Sequence, residues 1–398
     1  MVAGINKRTV AFQFIVLMGI VSLLGDIVYE GARGVTGPYL AILGASAAIV
    51  GLIGGLGEFI GYALRLLSGF IADRTKAYWI LTFIGYGLLL AVPLLAFARL
   101  WWIAAFFIIL ERMGKAVRSP ARDALLSTAT KEVGRGLGFG VHEALDQIGA
   151  IIGPLIFSLV FWLGGDYHLG FSILWIPALL VLGVLAIARI RVPSPERLET
   201  SEESMVEARE GDRTRVFVLY SLFTFLSVAG FVNFLLISYH FKLHAIMRDA
   251  QIPAFFALAM GIDAGTALVI GRAYDTRGLE TLLAAPLLSI ALPFLAFSRS
   301  PIQIVMGVIL WGAVMGIHET IMRAAVADLT PVERRGSAYG IFNTIYGLAW
   351  LFGGAIMGFL YDISLRYLLL FAVLFELSSI PIFLMVKKAQ NYTSVGVQ

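Results

Sequence analysis

Apolar stretches of about 20 residues, the length of one membrane crossing, recur along the whole of this sequence. Hydrophobic residues make up 59% of the 398 residues, charged residues only 14%, and the mean hydropathy is +0.87. A soluble domain carries about 25% charged residues. About 20 helical residues cross the roughly 30 Å hydrocarbon core of a bilayer. The sequence therefore predicts an all-α membrane protein rather than two or three soluble domains.

Twelve transmembrane helices are predicted, and the connections between most of them are short. Short connections make neighbouring helices antiparallel. The predicted spans are residues 10–33, 41–66, 79–98, 101–120, 137–163, 170–189, 216–240, 251–271, 279–298, 301–323, 337–360 and 367–387.

Lysine and arginine are unequally divided between the two sides of this arrangement. Of the 30 in the chain, Arg65, Arg112 and Lys115 fall well inside spans, and six lie at the ends of spans or in connections on the side opposite the termini. The remaining 21 lie on the side of the termini. The positive-inside rule therefore predicts cytoplasmic N and C termini in a multi-pass protein of the plasma (inner, cytoplasmic) membrane. Because this bias accounts for most of the basic residues, no nucleic-acid partner is expected. The six basic residues on the side opposite the termini are Arg33, Arg99, Lys242, Arg248, Arg299 and Arg366.

Two short motifs occur twice at almost the same offset. The run from Gly69 to Arg74 resembles the run from Gly271 to Arg277, 202 residues later, and Arg135–Gly140 resembles Arg335–Gly340, 200 residues later. Motifs repeated at one spacing indicate a duplicated half. We therefore predict two pseudo-symmetric six-helix bundles at 1–189 and 216–388. A charged, proline-containing cytoplasmic linker at 190–215 joins them, and a cytoplasmic tail follows at 389–398.

Charged side chains inside the predicted spans recur at helical spacing, so that each set lies on one face of its helix. A charge within a span costs about 2.5–3.5 kcal/mol on insertion scales, which makes each one a functional candidate. The sets are Asp26, Glu30 and Arg33 in span 1; Glu58 and Arg65 in span 2; Glu111, Lys115, Arg118 and Arg122 in span 4; His142 and Asp146 in span 5; and His318, Glu319 and Arg323 in span 10.

The distribution of these charges predicts which helices face lipid. Spans 3 and 6 have no charged residue in their interiors, whereas span 9 has Glu280 at its edge and span 12 has Glu376. The third helix of each triplet is therefore predicted to face lipid. The charges on the other helices are either ion pairs that hold helices together or the lining of a water-filled cavity. Five such sets on the predicted inner helices favour the cavity.

Carboxyl groups near the middle of the spans can load and release a proton as access to the cavity switches. Those predicted at mid-span are Glu58, Glu111, Glu143 and Asp146. The second half is poorer in charge. Outside span 10, its main intramembrane polar residues are Asn233, His240 and Asp263. This asymmetry suggests that one half handles protons and the other shapes the substrate surface.

Glycine and histidine patterns argue for helix packing and against catalysis. Gly51 and Gly55, like Gly57 and Gly61, have the four-residue spacing of close helix contacts in membranes. His142 and His318 each precede a glutamate, but the second histidine of a zinc-protease motif is missing from both runs. The chain has no cysteine, which excludes thiolate metal ligands. We therefore expect neither an enzyme nor a metal or other cofactor.

Two six-span halves, a charged linker and the duplicated loop together resemble the major facilitator superfamily over essentially the whole chain. The family's loop between spans 2 and 3 is matched by Gly69, Asp73 and Arg74, and less completely by Gly271, Asp275 and Arg277 in the second half. The resemblance implies that this loop latches the cytoplasmic ends of the two halves while the cavity faces outward. A carboxylate that lies near a helix N-terminus and pairs with an arginine could form such a latch. Arg118 or Arg122 is the expected partner of Asp73.

A second family motif lies on span 5. Gly140, Gly149, Gly153 and Pro154 match it, while Phe157 and Ser158 replace its final glycine pair. In the family this motif is associated with proton-driven antiporters, in which it bends the helix and seals the halves. Arg112 resembles the span-4 arginine of the same antiporters, and its expected role is to modulate a neighbouring carboxyl group.

These features predict a proton-coupled secondary transporter that works by alternating access and as a monomer, with export favoured over import. The expected partners are a small-molecule substrate, protons and the lipid bilayer. Glu58, Glu143 and Asp146 are the predicted coupling residues, whereas Asp26 and Glu30 would bind protons or cationic groups. A symporter or facilitator for small metabolites, and a non-transporting receptor or scaffold, remain as alternatives. Aromatic residues (12%) would suit drug-like or amphipathic substrates without requiring them.

Overall fold

A computed structural model describes residues 7–193, 213–330 and 335–395, and all regular secondary structure in these ranges is helical. Most of the predicted linker (194–212) and the end of the predicted tail (396–398) lie outside the described residues. The bounds of the α-helices are α1 Lys7–Ile42, α2 Ala47–Thr75, α3 Tyr78–Gly87, α4 Ala91–Leu94, α5 Trp101–Val133, α6 Arg135–Trp162, α7 Tyr167–Ile173, α8 Trp175–Arg191, α9 Arg213–Gly230, α10 Phe234–Leu243, α11 Gln251–Arg277, α12 Ala284–Ala296, α13 Pro301–Leu329, α14 Arg335–Ile363 and α15 Leu365–Val395.

These helices form twelve membrane crossings. Ten stretches of the described chain are long and apolar enough to span a bilayer, and one of them, Gln251–Ala296, has 46 residues, enough for two crossings. Helix α5 provides the one remaining crossing, the fourth in chain order, and its charged residues make it less apolar than the others. The repeated Arg-Gly motif begins α6 and α14, the fifth and eleventh crossings. Equivalent positions in the two halves therefore start equivalent helices.

Several helices run beyond the predicted spans. Span 4 was expected to end at Pro120, but α5 continues through this proline to Val133. Proline has no N–H to donate to the carbonyl four residues earlier, here that of Ala116. The Ser68 hydroxyl of α2 donates to this carbonyl at 2.7 Å instead. A neighbouring helix thus satisfies the group that Pro120 leaves unpaired, as membrane helices require.

The described residues divide into two compact units. Unit 1 comprises the described parts of 1–35, 64–204 and 249–257, and unit 2 those of 36–63, 205–248 and 258–398. Each unit thus contains most of one half of the chain and a short segment from the other. The predicted boundaries of the six-helix halves at 189 and 216 stay a prediction.

In unit 1, two glycines of the span-5 motif allow α6 to pack directly on the backbone of α1. A Cβ atom added at Gly149 would lie 2.3 Å from the carbonyl oxygen of Leu23, and one at Gly153 would lie 2.4 Å from that of Ile27. Contacts this short exclude any side chain, so the helices can approach only through glycine. Gly140 of the same motif differs, because an added Cβ would meet no atom of the described chain within 4 Å.

In unit 2, the predicted glycine contact of α2 is confirmed for one of its two pairs. A Cβ atom at Gly51 would lie 2.2 Å from the carbonyl oxygen of Gly354, and one at Gly55 would lie 2.6 Å from that of Trp350, both on α14. Gly61 has open space at the Cβ position, so it is not at a tight contact. The prediction fails there because spacing alone does not show which face meets a neighbour.

The beginning of α2 is also held by α14 through a carboxylate. Asp362 accepts hydrogen bonds from the backbone amides of Ala47, at 3.0 Å, and Ala48, at 2.9 Å. These amides have no partner within their own helix, and a negative charge is favourable at a helix N-terminus. Asp362 therefore stabilises the same α2–α14 contact that the glycines permit.

The glycine contact between α1 and α6 can be tested with one substitution at two positions of the same helix. We expect Gly149→Ala to destabilise the detergent-solubilised protein by about 1–3 kcal/mol, because the new methyl group forces the helices apart. Gly140→Ala, which has room, should be neutral or slightly stabilising, since alanine favours helix more than glycine does. Thermal unfolding measures both, and equal melting temperatures for the two variants would refute the packing interpretation.

Candidate functional site

Unit 1 concentrates the charged residues of α1, α5 and α6 in one place. Asp26 interacts electrostatically with Asp146 of α6, with Lys115 and Arg118 of α5, and with Glu30 one turn away on α1. We call these five residues the acid–base cluster. Because three helices contribute to it, their separate stripes converge in the folded chain. Two carboxylates that interact in this way repel each other, and a proton on either one relieves the repulsion.

The cationic side of the acid–base cluster is positioned by an aromatic ring. The Lys115 ammonium lies 3.8 Å from the centre of the Tyr29 ring, and the Arg112 guanidinium lies 4.6 Å from it. Arg112 also donates a hydrogen bond to the Tyr29 hydroxyl. Cations over an aromatic face are stabilised without neutralising a carboxylate. Tyr29 thus helps to hold both cations in the bundle.

Asp146 is anchored on its other side by a short hydrogen-bonded chain. Ser22 donates to the Asp146 carboxylate, and Arg122 donates to the Ser22 hydroxyl at 3.1 Å. Arg122 is also paired with Asp123 at 2.9 Å. His142, one turn before Asp146 on α6, is buried, and neither ring nitrogen has a hydrogen-bond partner among the described residues. A titratable ring therefore lies next to the anchored carboxylate.

The remaining predicted residues of unit 1 lie around this centre. Buried Glu111 is 3.5 Å from Arg118 and 3.8 Å from Arg112. Arg33 is 3.4 Å from Glu30, and Arg65 interacts electrostatically with Lys115. Some of these charges thus form the ion pairs that the alternative interpretation expected, while others converge on the acid–base cluster.

Two predicted coupling residues, Glu143 and Glu58, are not among the five residues of the acid–base cluster. The Glu143 side chain is exposed and accepts a hydrogen bond from Gln147 at 3.3 Å. Glu58 is buried, but it belongs to unit 2. Mid-span position along the sequence identified both, yet it does not determine which face of the helix a residue occupies.

The predicted latch differs from the observed arrangement around Asp73. Asp73 and Arg74 are exposed at the end of α2, and the Tyr78 hydroxyl is 3.5 Å from the Asp73 carboxylate. The expected partners point elsewhere, because Arg118 pairs with Glu111 and Arg122 with Asp123. Both arginines are held by acids on their own helix. In the second copy, Asp275 and Arg277 are also exposed, and Gly271 is partly buried.

In unit 2, the seventh crossing is interrupted where sequence analysis expected a continuous helix. Helix α9 ends at Gly230 and α10 begins after Asn233, whose side chain accepts a hydrogen bond from the Leu235 amide at 2.9 Å. The free Val232 carbonyl accepts a hydrogen bond from the Trp311 indole at 2.9 Å. The signal for this break was present as a glycine followed three residues later by an N-cap asparagine. Interrupted membrane helices often line substrate sites.

Aromatic side chains from four segments meet beside this break. Phe231, in the break itself, packs against His318 with ring centres 5.1 Å apart and against Trp350 at 5.7 Å. Tyr346 lies 4.8 Å from Tyr62 of α2 and 6.4 Å from Trp350. We call these five residues the aromatic cluster. All five are buried.

The predicted charged residues of span 10 lie next to the aromatic cluster. Arg323 interacts with Glu319 and with the Tyr62 hydroxyl, and Glu319 also interacts electrostatically with Tyr346. Asp263 of α11 is buried against α13, where a Cβ atom at Gly316 would lie 3.0 Å from its carboxylate. Glu319 and Arg323 therefore provide a charged edge to an otherwise aromatic surface.

Glu376 differs from the expectation for a lipid-facing third helix. Its side chain is fully buried, and Ser227 of α9 donates a hydrogen bond to its carboxylate at 3.3 Å. Although much of α15 is exposed, this carboxyl group turns toward α9 because burial near a hydroxyl costs less than exposure to lipid.

Comparisons with known proteins agree with this fold. The sequence profile of the Major Facilitator Superfamily matches residues 11–318 and 250–396. An uncharacterised protein of Mycobacterium tuberculosis (strain ATCC 25618 / H37Rv) is 43% identical over 93% of this chain and 92% of its own length. An uncharacterised MFS-type transporter of Methanocaldococcus jannaschii is 28% identical over 87% and 88%.

A shorter match and a solved structure extend these comparisons. The multidrug resistance protein MdtH of Proteus mirabilis (strain HI4320) is 31% identical over 46% of this chain and 44% of its own length. The crystal structure of a bacterial homologue of the human lysosomal transporter Spinster, in an inward-facing and unoccupied conformation, superposes with a TM-score of 0.72. It is 14% identical and covers 97% of this chain and 98% of its own. With the profile matching most of the chain, this twelve-helix membrane protein belongs to the major facilitator superfamily.

Proposed function

We propose that this transporter exports a small molecule across the plasma membrane in exchange for protons. The observation that carries the proposal is the acid–base cluster, in which Asp26 and Asp146 lie close to each other and to Lys115 inside the bundle. The negative charge of the carboxyl pair can be offset either by a bound proton or by the positive charge of Lys115. Protonation therefore changes the local charge balance, which alternating access can couple to substrate movement.

Export is supported by the span-5 glycines and by the name of one relative. Gly149 and Gly153, from the motif associated with antiporters, form the tight α1–α6 contact beside the acid–base cluster. The partial relative from Proteus mirabilis is called a multidrug resistance protein. We propose further that the chain acts as a monomer with cytoplasmic termini, and that the proton gradient is its energy source without a cofactor.

Transport in proteoliposomes with an imposed pH difference tests the direction of coupling. A thermal-shift screen first identifies a compound that stabilises the protein, and its radiolabelled form is then the transport probe. For antiport, we expect the probe to accumulate in vesicles with an acidic lumen, because outward proton flow drives uptake. Accumulation only with an acidic exterior would establish symport and overturn the export proposal. Binding without flux would instead support the receptor alternative.

Variants of the two clustered carboxyl groups test which residues carry the proton. We expect Asp26→Asn and Asp146→Asn each to abolish accumulation driven by the pH gradient while retaining exchange of probe across the membrane. Glu143→Gln, which changes an exposed side chain that is not one of the five cluster residues, should retain coupling. Glu280→Gln is the control, since this exposed residue pairs with Lys387 at 2.5 Å in unit 2. Wild-type accumulation in the Asp26→Asn, Asp146→Asn double variant would contradict the proposal.

The orientation of the chain can be measured on an unmodified background because the protein has no cysteine. Arg99 and Arg191 are both exposed, at opposite ends of their crossings. We expect Arg99→Cys to react with a membrane-impermeant maleimide in intact bacterial cells. Arg191→Cys should react only after permeabilisation. The reverse pattern of labelling would place the termini outside the cytoplasm.

A further inference from the structure

The aromatic cluster contains several polar atoms that the chain itself leaves unpaired. Neither the Tyr346 hydroxyl, the Trp350 indole nitrogen nor either ring nitrogen of His318 has a hydrogen-bond partner among the described residues. The Trp350 indole lies near the Tyr346 hydroxyl, but not in the geometry of a hydrogen bond. The Tyr346, Trp350 and His318 side chains are 3%, 1% and 1% exposed. Leaving such a group unpaired away from water costs about 1–3 kcal/mol. Buried polar groups in proteins are normally paired, so three adjacent exceptions require an explanation.

Neighbouring side chains of the same types show that pairing is possible in this part of the fold. The Trp311 indole donates to the Val232 carbonyl at 2.9 Å, and the Tyr220 hydroxyl donates to the Met322 carbonyl at 2.6 Å. Both are fully buried, as are their counterparts in the cluster. Tyr346, Trp350 and His318 therefore lack the partners that Trp311 and Tyr220 have, and the three meet beside the broken seventh crossing.

We propose that the aromatic cluster is the substrate-recognition site and that it takes planar, uncharged heteroaromatic compounds. Tyr346 and Trp350 each offer a hydrogen-bond donor, and neutral His318 offers one donor and one acceptor. A ligand that satisfies them carries carbonyl or ring-nitrogen acceptors and an N–H donor at its edge. The surrounding rings pack against flat aromatic faces.

The charges nearby also restrict the ligand. Arg323 and Glu319 interact with each other at the edge of the cluster, so neither offers an unbalanced charge to a ligand. The ring system that enters the cluster is therefore uncharged. This inference rests on the proposed transport function, since it names the class of compound that is carried.

A pair of matched probes tests the recognition chemistry on the purified full-length protein. Acridone is a planar tricyclic compound with one carbonyl acceptor and one N–H donor, whereas anthracene has the same ring shape without them. We expect acridone to bind with saturation, measured by the polarisation of its fluorescence, and anthracene to bind at least about tenfold more weakly, as the loss of more than one hydrogen bond implies. Equal binding of the two probes would overturn the proposal.

Variants of the unpaired donors can be compared with a variant of a paired donor. We expect Tyr346→Phe and Trp350→Phe to weaken acridone binding roughly 3- to 10-fold each, the loss of one hydrogen bond. In the unliganded protein, the melting temperature of Tyr346→Phe should be unchanged or higher, because this change removes an unpaired buried group and little volume. Trp350→Phe also leaves a cavity, so it should melt at a lower temperature. The matched control, Tyr220→Phe, should bind acridone within about twofold of the wild type and melt at a lower temperature, because it breaks a paired hydrogen bond.

The reverse pattern would show that the unpaired donors serve the fold and do not recognise a ligand. A lower melting temperature for Tyr346→Phe, with acridone binding unchanged in both Tyr346→Phe and Trp350→Phe, would overturn the proposal. Both readouts are obtained without a pH gradient, so the failure of proton coupling leaves them unaffected. Conversely, coupled transport of another compound together with no acridone binding would refute the recognition site and leave the transport proposal standing.

Discussion

The free-energy cost of placing a polar group inside an apolar, membrane-spanning bundle determines how this chain arranges its polar side chains. Paired groups support the fold. Ser68 satisfies the carbonyl that Pro120 leaves free, Ser227 donates to one oxygen of Glu376, and Asp362 accepts from the first two amides of α2. Against this background, two places stand out, one where like charges lie in mutual repulsion and one where adjacent aromatic side chains leave polar atoms without a partner.

These two places differ in chemistry in a way that suits different tasks. The acid–base cluster of unit 1 holds charges of both signs around Asp26, so adding or removing one proton changes its balance. The aromatic cluster of unit 2 holds flat rings and neutral donors, so it favours a planar ligand. A charged cluster can bind and release protons, whereas an aromatic cluster can select a ligand by its shape. A coupled transporter requires a site of each kind.

The sequence was sufficient to predict the fold class, the twelve crossings and the contact through Gly51 and Gly55, because these depend on composition and spacing along one helix. It also identified the residues of the acid–base cluster, since Asp26, Lys115 and Asp146 lie on polar stripes. It did not show that Glu143 is exposed and Glu376 buried, because the direction of a side chain depends on neighbouring helices. The continuation of α5 through Pro120 likewise depends on Ser68, 52 residues earlier, which no local pattern reveals.

The most direct test of the proton site is pH-difference infrared spectroscopy on the reconstituted protein, with the wild type compared against Asp146→Asn. If the clustered carboxyl pair exchanges the coupled proton, a carboxyl band that changes with pH in the wild type should be missing or shifted in the variant. Because the two carboxyl groups titrate as a coupled pair, Asp26→Asn should alter the same band. Spectra with identical pH-dependent carboxyl bands in the wild type and both variants would contradict the assignment of proton coupling to Asp26 and Asp146.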